Sequence, residues 1–306
     1  MLAFLAPVYL GWSLGANDAS NVFGTAVSSR MLRFGTAAAL ASVFVLLGAV
    51  LEGRAGMETL SGLRTFDAGS AVVTSVGAAV AVTLLTILRL PVSTSQAVVG
   101  AIVGVGAFQG GVDFRGLTKV ITCWILTPFG AMIIAVGFYV LLRPLCNKLA
   151  GRLITYDIVL RAALVVVGCY GAYALGANNV ANVTGVFVGA GAITPLTAAL
   201  VGGASIGLGI VTFSKRVMMT VGRGVVRLNA YGALIVGLAT AITVHVYAIV
   251  GVPVSASQAV VGAVFGVGIL KSVSTIRFRA VFGIIVGWLA TPVIAALCAM
   301  GLIALV

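Results

Sequence analysis

The sequence predicts an all-α integral membrane protein of about ten membrane segments, arranged as two inverted-topology repeats with broken or half helices at the bilayer midplane. Three observations carry this. The chain of 306 residues is 61% apolar and only 8% charged. Two long motifs each occur twice at a nearly constant separation, and the basic residues gather in the short stretches between apolar runs. A soluble protein of this size has no way to hide so much apolar surface.

The formal net charge of +12 would point a soluble protein toward nucleic acid. Here the Lys and Arg residues flank apolar spans, which is the positive-inside pattern of membrane proteins, and no nucleic-acid partner is expected. Enzyme chemistry has little to work with. The single histidine, His245, leaves no zinc site or Ser/His/Asp triad, and neither H-E-x-x-H nor G-x-S-x-G occurs. Cys123, Cys146, Cys169 and Cys298 lack metal-like spacing and read as small core residues. No cofactor is expected. The N-terminus has no basic leader or small-residue cleavage site, so its apolar run is expected to be the first segment and not a removed signal.

The first repeat, residues 1–142, holds apolar segments at 2–29, 34–51, 69–88, 90–109 and 118–142. A connector at 143–157, expected to be cytoplasmic, leads to the second repeat at 158–306, with segments at 158–190, 195–213, 229–250, 252–270 and 280–305. If all ten cross, one face receives 14 of the 18 basic residues: Arg30, Arg33, Arg89, Arg143, Lys148, Arg152, Arg161, Lys215, Arg216, Arg223, Arg227, Lys271, Arg277 and Arg279. The other receives Arg54, Arg64, Arg115 and Lys119 with Glu52, Glu58, Asp67 and Asp113. Positive-inside bias makes the first face cytoplasmic and both termini external. Treating the first and fourth segments of each half as re-entrant gives 9 against 9, so ten crossings are preferred. Five crossings per half, an odd number, invert the second half relative to the first.

Residues 14–29, LGANDASNVFGTAVSS, return at 175–190 as LGANNVANVTGVFVGA with 8 of 16 positions identical. Residues 91–106, PVSTSQAVVGAIVGVG, return at 253–268 as PVSASQAVVGAVFGVG with 13 of 16 identical. Trp124 with Thr127 and Pro128 recurs as Trp288 with Thr291 and Pro292. The chain is a duplication.

In the first motif, glycine and adjacent amides interrupt an apolar run, which favours an unwound turn at Gly15–Asp18 and at Gly176–Asn179. Asp18 is the only acid well inside an apolar segment, where an uncompensated charge costs several kcal/mol, so it is expected to face a cation. Asn21, Asn179 and Asn182 complete the candidate cation set. The second motif places Pro before Ser93, Thr94, Ser95 and Gln96, and again before Ser255, Ser257 and Gln258, as a helix starting within the membrane would. Ser93 with Gln96 and Ser255 with Gln258 have capping-box spacing. Such helix ends and hydroxyls hold an oxyanion without a basic side chain, and Asn17 and Asn178 are expected to join them. No Lys or Arg lies in any motif copy. Helix capping and close glycine packing, as at Gly100 and Gly104 or Gly185 and Gly189, account for part of the same pattern.

These motifs resemble those of the inorganic phosphate transporter (PiT) family, whose mark is a duplicated GAND-x-x-N-x-x-G with a duplicated P-[VI]-S-x-[ST]. The resemblance covers the whole chain and implies a multi-pass plasma-membrane symporter that binds inorganic phosphate, with sodium, or protons in some bacterial members, as coupling ion, assembled as a homodimer in the lipid bilayer. Position by position it implies roles for Asn17, Asp18 and Asn21, for Asn178, Asn179 and Asn182, and for the two Pro-Ser segments. Three departures stand out. Asn179 replaces the usual acid, Gln96 and Gln258 stand where His is common, and Ala256 stands where a hydroxyl is usual. Val45 stands where some members carry a glutamate. Fewer titrating groups favour sodium over protons. A proton-coupled phosphate or sulfate permease and, in a different class, an anion channel stay open as alternatives. The long central loop of animal relatives is absent.

Overall fold

The computed structural model describes residues 2–28, 30–88, 92–221, 229–271 and 278–305. Arg89, Pro91, Arg223, Arg227 and Arg277, used above, lie outside the described residues, as does the side chain of Arg279. The described residues form helices joined by short turns, without strands. The helices are α1 (Leu2–Ser28), α2 (Phe34–Glu52), α3 (Arg54–Gly62), α4 (Ala68–Ile87), α5 (Thr94–Gln109), α6 (Phe114–Ala150), α7 (Leu153–Gly189), α8 (Pro195–Val221), α9 (Ala230–Val250), α10 (Ala256–Lys271) and α11 (Phe278–Ile303).

Both GAN motifs lie inside unbroken helices, α1 and α7, so the expected unwound turns are absent. Their glycines serve packing instead. A Cβ at Gly15 would overlap the carbonyl of Ile206 on α8, and one at Gly176 would overlap the carbonyl of Val45 on α2. Removing the side chain lets two helix backbones touch, and dispersion across such a seam replaces the hydrophobic drive that lipid cannot supply. The pairing is reciprocal between the halves: α1 runs along α8 while α2 runs along α7.

The chain stays helical beyond Glu52. Gly53 ends α2, and α3 continues alongside α7, with Gly48 against Tyr173, Gly56 against Ala181 and Ser61 against Gly189. Glu52, Arg54 and Glu58, expected in a loop, thus lie at the junction of two helices, with Arg54 and Glu58 exposed and paired at 2.8 Å.

The ten-crossing expectation also needs correction. Helices α5 and α10 have 16 residues each, or about 24 Å at 1.5 Å per residue, short of a hydrocarbon core of about 30 Å. Their starts meet: Ser95 Oγ donates to the Val254 carbonyl at 3.0 Å. In a ten-crossing chain these two turns would sit on opposite faces of the bilayer. Each pair, α4–α5 and α9–α10, is therefore a hairpin that returns to the face it left. Arg64, just before α4, donates to Gln109 Oε1 at 2.6 Å at the end of α5. Lys271, ending α10, donates to Asn229 Oδ1 at 2.7 Å at the start of α9. The hairpins enter from opposite faces, which preserves the inverted relation of the repeats.

Each hairpin is held by the other half. Gly100 of α5 lies on the Pro292 backbone of α11, and Gly262 of α10 on the Pro128 backbone of α6. Helices α6 and α7 have 37 residues apiece, and only Gly151 and Arg152 separate them, so the 143–157 connector is mostly helix. Outward residues such as Ile125, Phe129, Ile133, Leu289, Val293 and Leu297 present an apolar surface fit for lipid. The four cysteines are half-buried and unpaired.

Gly176→Val should strain the α2–α7 seam by about 1–3 kcal/mol, the usual cost of overpacking. Gly130, where an added Cβ meets nothing within 4 Å, is the control. Melting in detergent should fall clearly for the first variant and stay unchanged for Gly130→Ala.

Candidate functional site

The site is the place where the two hairpin turns meet α7. Asn178 lies on α7 and is buried, and its side chain clasps the second turn: Nδ2 donates to the Val254 carbonyl at 2.8 Å, and Oδ1 accepts from the Val254 N–H at 3.1 Å. One turn further, Asn182 Nδ2 donates to Ser95 Oγ and to Asn179 Oδ1, both at 2.8 Å. Ser95 donates onward to the same Val254 carbonyl. Trp124 of α6 donates through Nε1 to the Pro253 carbonyl at 3.1 Å. The second hairpin turn is thereby tied to α5, α6 and α7 through its backbone.

Ser93 and Ser255 are helix caps, accepting from the N–H groups of Gln96 at 3.4 Å and Gln258 at 3.3 Å. Ser255 also bonds the Ser257 hydroxyl at 2.8 Å. The expected reciprocal bond from either Gln side chain to its cap does not form, and Gln96 Oε1 and Gln258 Oε1 are buried without a protein partner. The Thr94 hydroxyl, Asn179 Nδ2 and Asn182 Oδ1 are in the same condition. Thr94, Asn179 and Asn182 are each no more than 2% exposed. Most buried polar atoms in proteins find partners. Here five such atoms sit among the motif residues, in company with the unpaired first-turn N–H groups that every helix start carries.

The first-half residues stand apart from this network. Asp18 is buried, and its one described hydrogen bond comes from the adjacent Asn17 Nδ2 at 3.3 Å. Asn17 and Asn21 are half-buried. Asn21 opens on a narrow cleft shared with Thr240 of α9 and Ala256, the first residue of α10. The Thr240 hydroxyl is also buried and unpartnered. Asn17 therefore does not clasp the first turn as its repeat counterpart Asn178 clasps the second.

The role of Trp124 was missed in the sequence, where its recurrence with Trp288 marks the duplication but reveals no hydrogen bond. Thr240 carries no signal at all, being one hydroxyl in an apolar helix. Among the described residues no cluster of His, Cys, Asp and Glu could hold a transition metal. Asp18 and the Asn side chains carry oxygen donors of the kind hard cations prefer, in two separate places.

A profile described as the phosphate transporter family matches residues 14–157 and again 153–299. A candidate phosphate permease of Methanocaldococcus jannaschii is 28% identical over 96% of this chain and 93% of its own length. A sulfate permease of Bacillus subtilis is 28% identical over 89% of this chain and 78% of its own. A solved structure, of a sodium-dependent phosphate transporter, superposes with a TM-score of 0.88 at 22% identity, covering all of this chain and 98% of the other. At that identity the likeness establishes the fold.

Asn178→Ala would strand both backbone groups of Val254 in a buried setting. Each orphaned group costs about 1–3 kcal/mol. Lower thermal stability in detergent is expected, together with faster amide exchange confined to the 251–258 turn. Serine at the same position should recover little, since one hydroxyl cannot span the donor and the acceptor together.

Proposed function

This chain belongs to the phosphate transporter family, and from that premise we propose that it moves inorganic phosphate by symport with sodium, using alternating access. The observation that carries the reading is the meeting of two half-helix starts in the protein interior, ringed by buried donors and acceptors that the protein leaves unpaired. It is a transport function, and no enzyme chemistry is involved.

The anion would lie against the first turns of α5 and α10. There the positive helix ends, the Thr94 hydroxyl and Asn179 Nδ2 offer donors, with Ser93, Ser95, Ser255, Ser257, Gln96 and Gln258 forming the wall. Asn178 is better read as the clasp on the turn than as a direct ligand, because both its polar atoms are engaged by Val254. A multivalent anion bound without Lys or Arg leaves negative charge in a low-dielectric site. Sodium corrects that deficit, with Asp18, Asn21 and the Asn182 carbonyl as oxygen ligands. Binding of each ion then favours the other.

Two hairpins entering from opposite faces give each side of the membrane one movable plug over a shared site, the geometry that alternating access requires. Arg30, Arg33, Arg143, Lys148 and Arg152 gather on one face, which supports a cytoplasmic assignment for it and external termini in the cell membrane. Pairing as a homodimer belongs to the same reading.

Labelled phosphate uptake into proteoliposomes tests this directly. An inward sodium gradient should drive accumulation above equilibrium; equal uptake with and without it would sink the sodium coupling. An anion channel could never accumulate phosphate uphill. Sulfate is the second substrate to try, given the Bacillus subtilis relative, and stronger competition by sulfate than by unlabelled phosphate would reassign the anion. Asp18→Asn should lower sodium-driven uptake by at least about tenfold, equivalent to 1.4 kcal/mol, whereas Asp113→Asn, at the cap of α6, should leave it unchanged.

A further inference from the structure

The chain's one histidine sits in a second polar cluster, remote from the hairpin turns. His245 Nε2 lies 2.6 Å from Glu52 Oε2, and its Nδ1 lies 2.8 Å from the Tyr170 hydroxyl. The Tyr173 hydroxyl lies near the same Glu52 carboxylate. Both tyrosine rings meet the imidazole edge-on, at 5.4 and 5.5 Å between centroids. Three elements, α2, α7 and α9, supply these four groups.

We propose that Glu52, His245, Tyr170 and Tyr173 form a proton-binding site that joins the second hairpin to α2 and α7. With the imidazole neutral, its Nε2–H donates to Glu52 and its Nδ1 accepts from Tyr170, leaving the cluster a net charge of minus one. A proton taken up at Nδ1 makes it neutral overall. Nδ1–H then donates to the Tyr170 oxygen, whose own hydrogen turns away, and no covalent bond changes. The surroundings give that charge change leverage. Leu51 and Val246, next in sequence to Glu52 and His245, and Ile249, one turn on, are exposed and apolar, and an unbalanced charge in such a setting is costly.

Other charges facing the cluster are few. On α3, Arg54 is committed to Glu58 at 2.8 Å. On α9 the other ionisable groups are Tyr247, whose hydroxyl lies near Thr127 of α6, and Tyr231, which donates to the Tyr139 carbonyl at 2.6 Å. Helix α7 carries its Arg161 paired with Asp157, well before Tyr170 in the chain. A proton on His245 thus strengthens a contact between the α9–α10 hairpin, which bears Ser255 and Gln258, and the helices it must slide past. Low pH tightens the hairpin's hold, and the hold relaxes as pH rises. The consequence for uptake rests on the transporter reading; the proton site does not.

The single histidine makes the site directly observable. In the full-length protein labelled with nitrogen-15 histidine, NMR should show one imidazole, with its hydrogen on Nε2 at alkaline pH. Glu52→Gln should shift the Nε2 resonance and its hydrogen-bonded proton, because a neutral amide is a weaker acceptor than a carboxylate. Unchanged Nε2 signals or an Nδ1–H tautomer at alkaline pH would overturn the site. Sodium-driven phosphate uptake is then compared between His245→Gln and wild type at each pH, so that phosphate's own ionisation cancels. The ratio should rise severalfold from pH 8 to pH 5.5, and Glu52→Gln should behave alike. A flat ratio beside a normal NMR result would overturn the hairpin coupling. Loss of uptake in the wild type itself would count against the transporter reading and leave the NMR result to decide the site.

Discussion

A turn of backbone buried at the level of the bilayer centre has nowhere to place its N–H and C=O groups except against other protein groups. The start of α10 is such a turn, and much of the structure follows from satisfying it. Val254 needs a donor and an acceptor in one reach, which a primary amide supplies and a hydroxyl or carboxylate does not. Asn178 therefore faces it from α7. Pro253 has no N–H to satisfy, and its carbonyl takes the Trp124 indole. To bring these side chains within hydrogen-bond distance, α6 and α7 must lie close to the hairpin. Gly262 on the Pro128 backbone permits the approach of α6.

The same constraint explains why the halves interlock instead of standing side by side. A half helix cannot bury its flank against its own short hairpin alone. Helix α5 leans on α11, and α10 on α6. Duplication supplies each half with a partner already shaped for the purpose, and inversion brings the two turns to one level from opposite faces.

How much of this the sequence disclosed depends on what each signal measures. Repetition of thirteen residues in sixteen is a long, specific signal, and the duplication, the half helices and the motif residues were legible from it. Apolar run length is blunter, because it records that a segment sits in lipid without recording whether it crosses. The 20 residues of α4 and the 21 of α9 read as crossings for that reason. Gly15 and Gly176 read as helix breakers because glycine's lack of a Cβ serves unwinding and close packing equally, and only the neighbouring backbone tells them apart. Glu52 and His245 are 193 positions apart, and no local pattern links them.

Asymmetry between the halves carries the last step. Asn178 is spent on Val254, while its counterpart Asn17 reaches only the neighbouring Asp18. Asn179 in the second half is an amide joined to Asn182, while its counterpart Asp18 is a carboxylate without a basic partner among the described residues. One half thus supplies a clasp for a backbone turn and the other a buried carboxyl. Under the proposed symport, two carboxylates would place like charges near one anion, and two amides would leave the cation no formal charge to meet. On that reading, dividing the tasks avoids both costs, because a buried carboxylate needs a cation beside it.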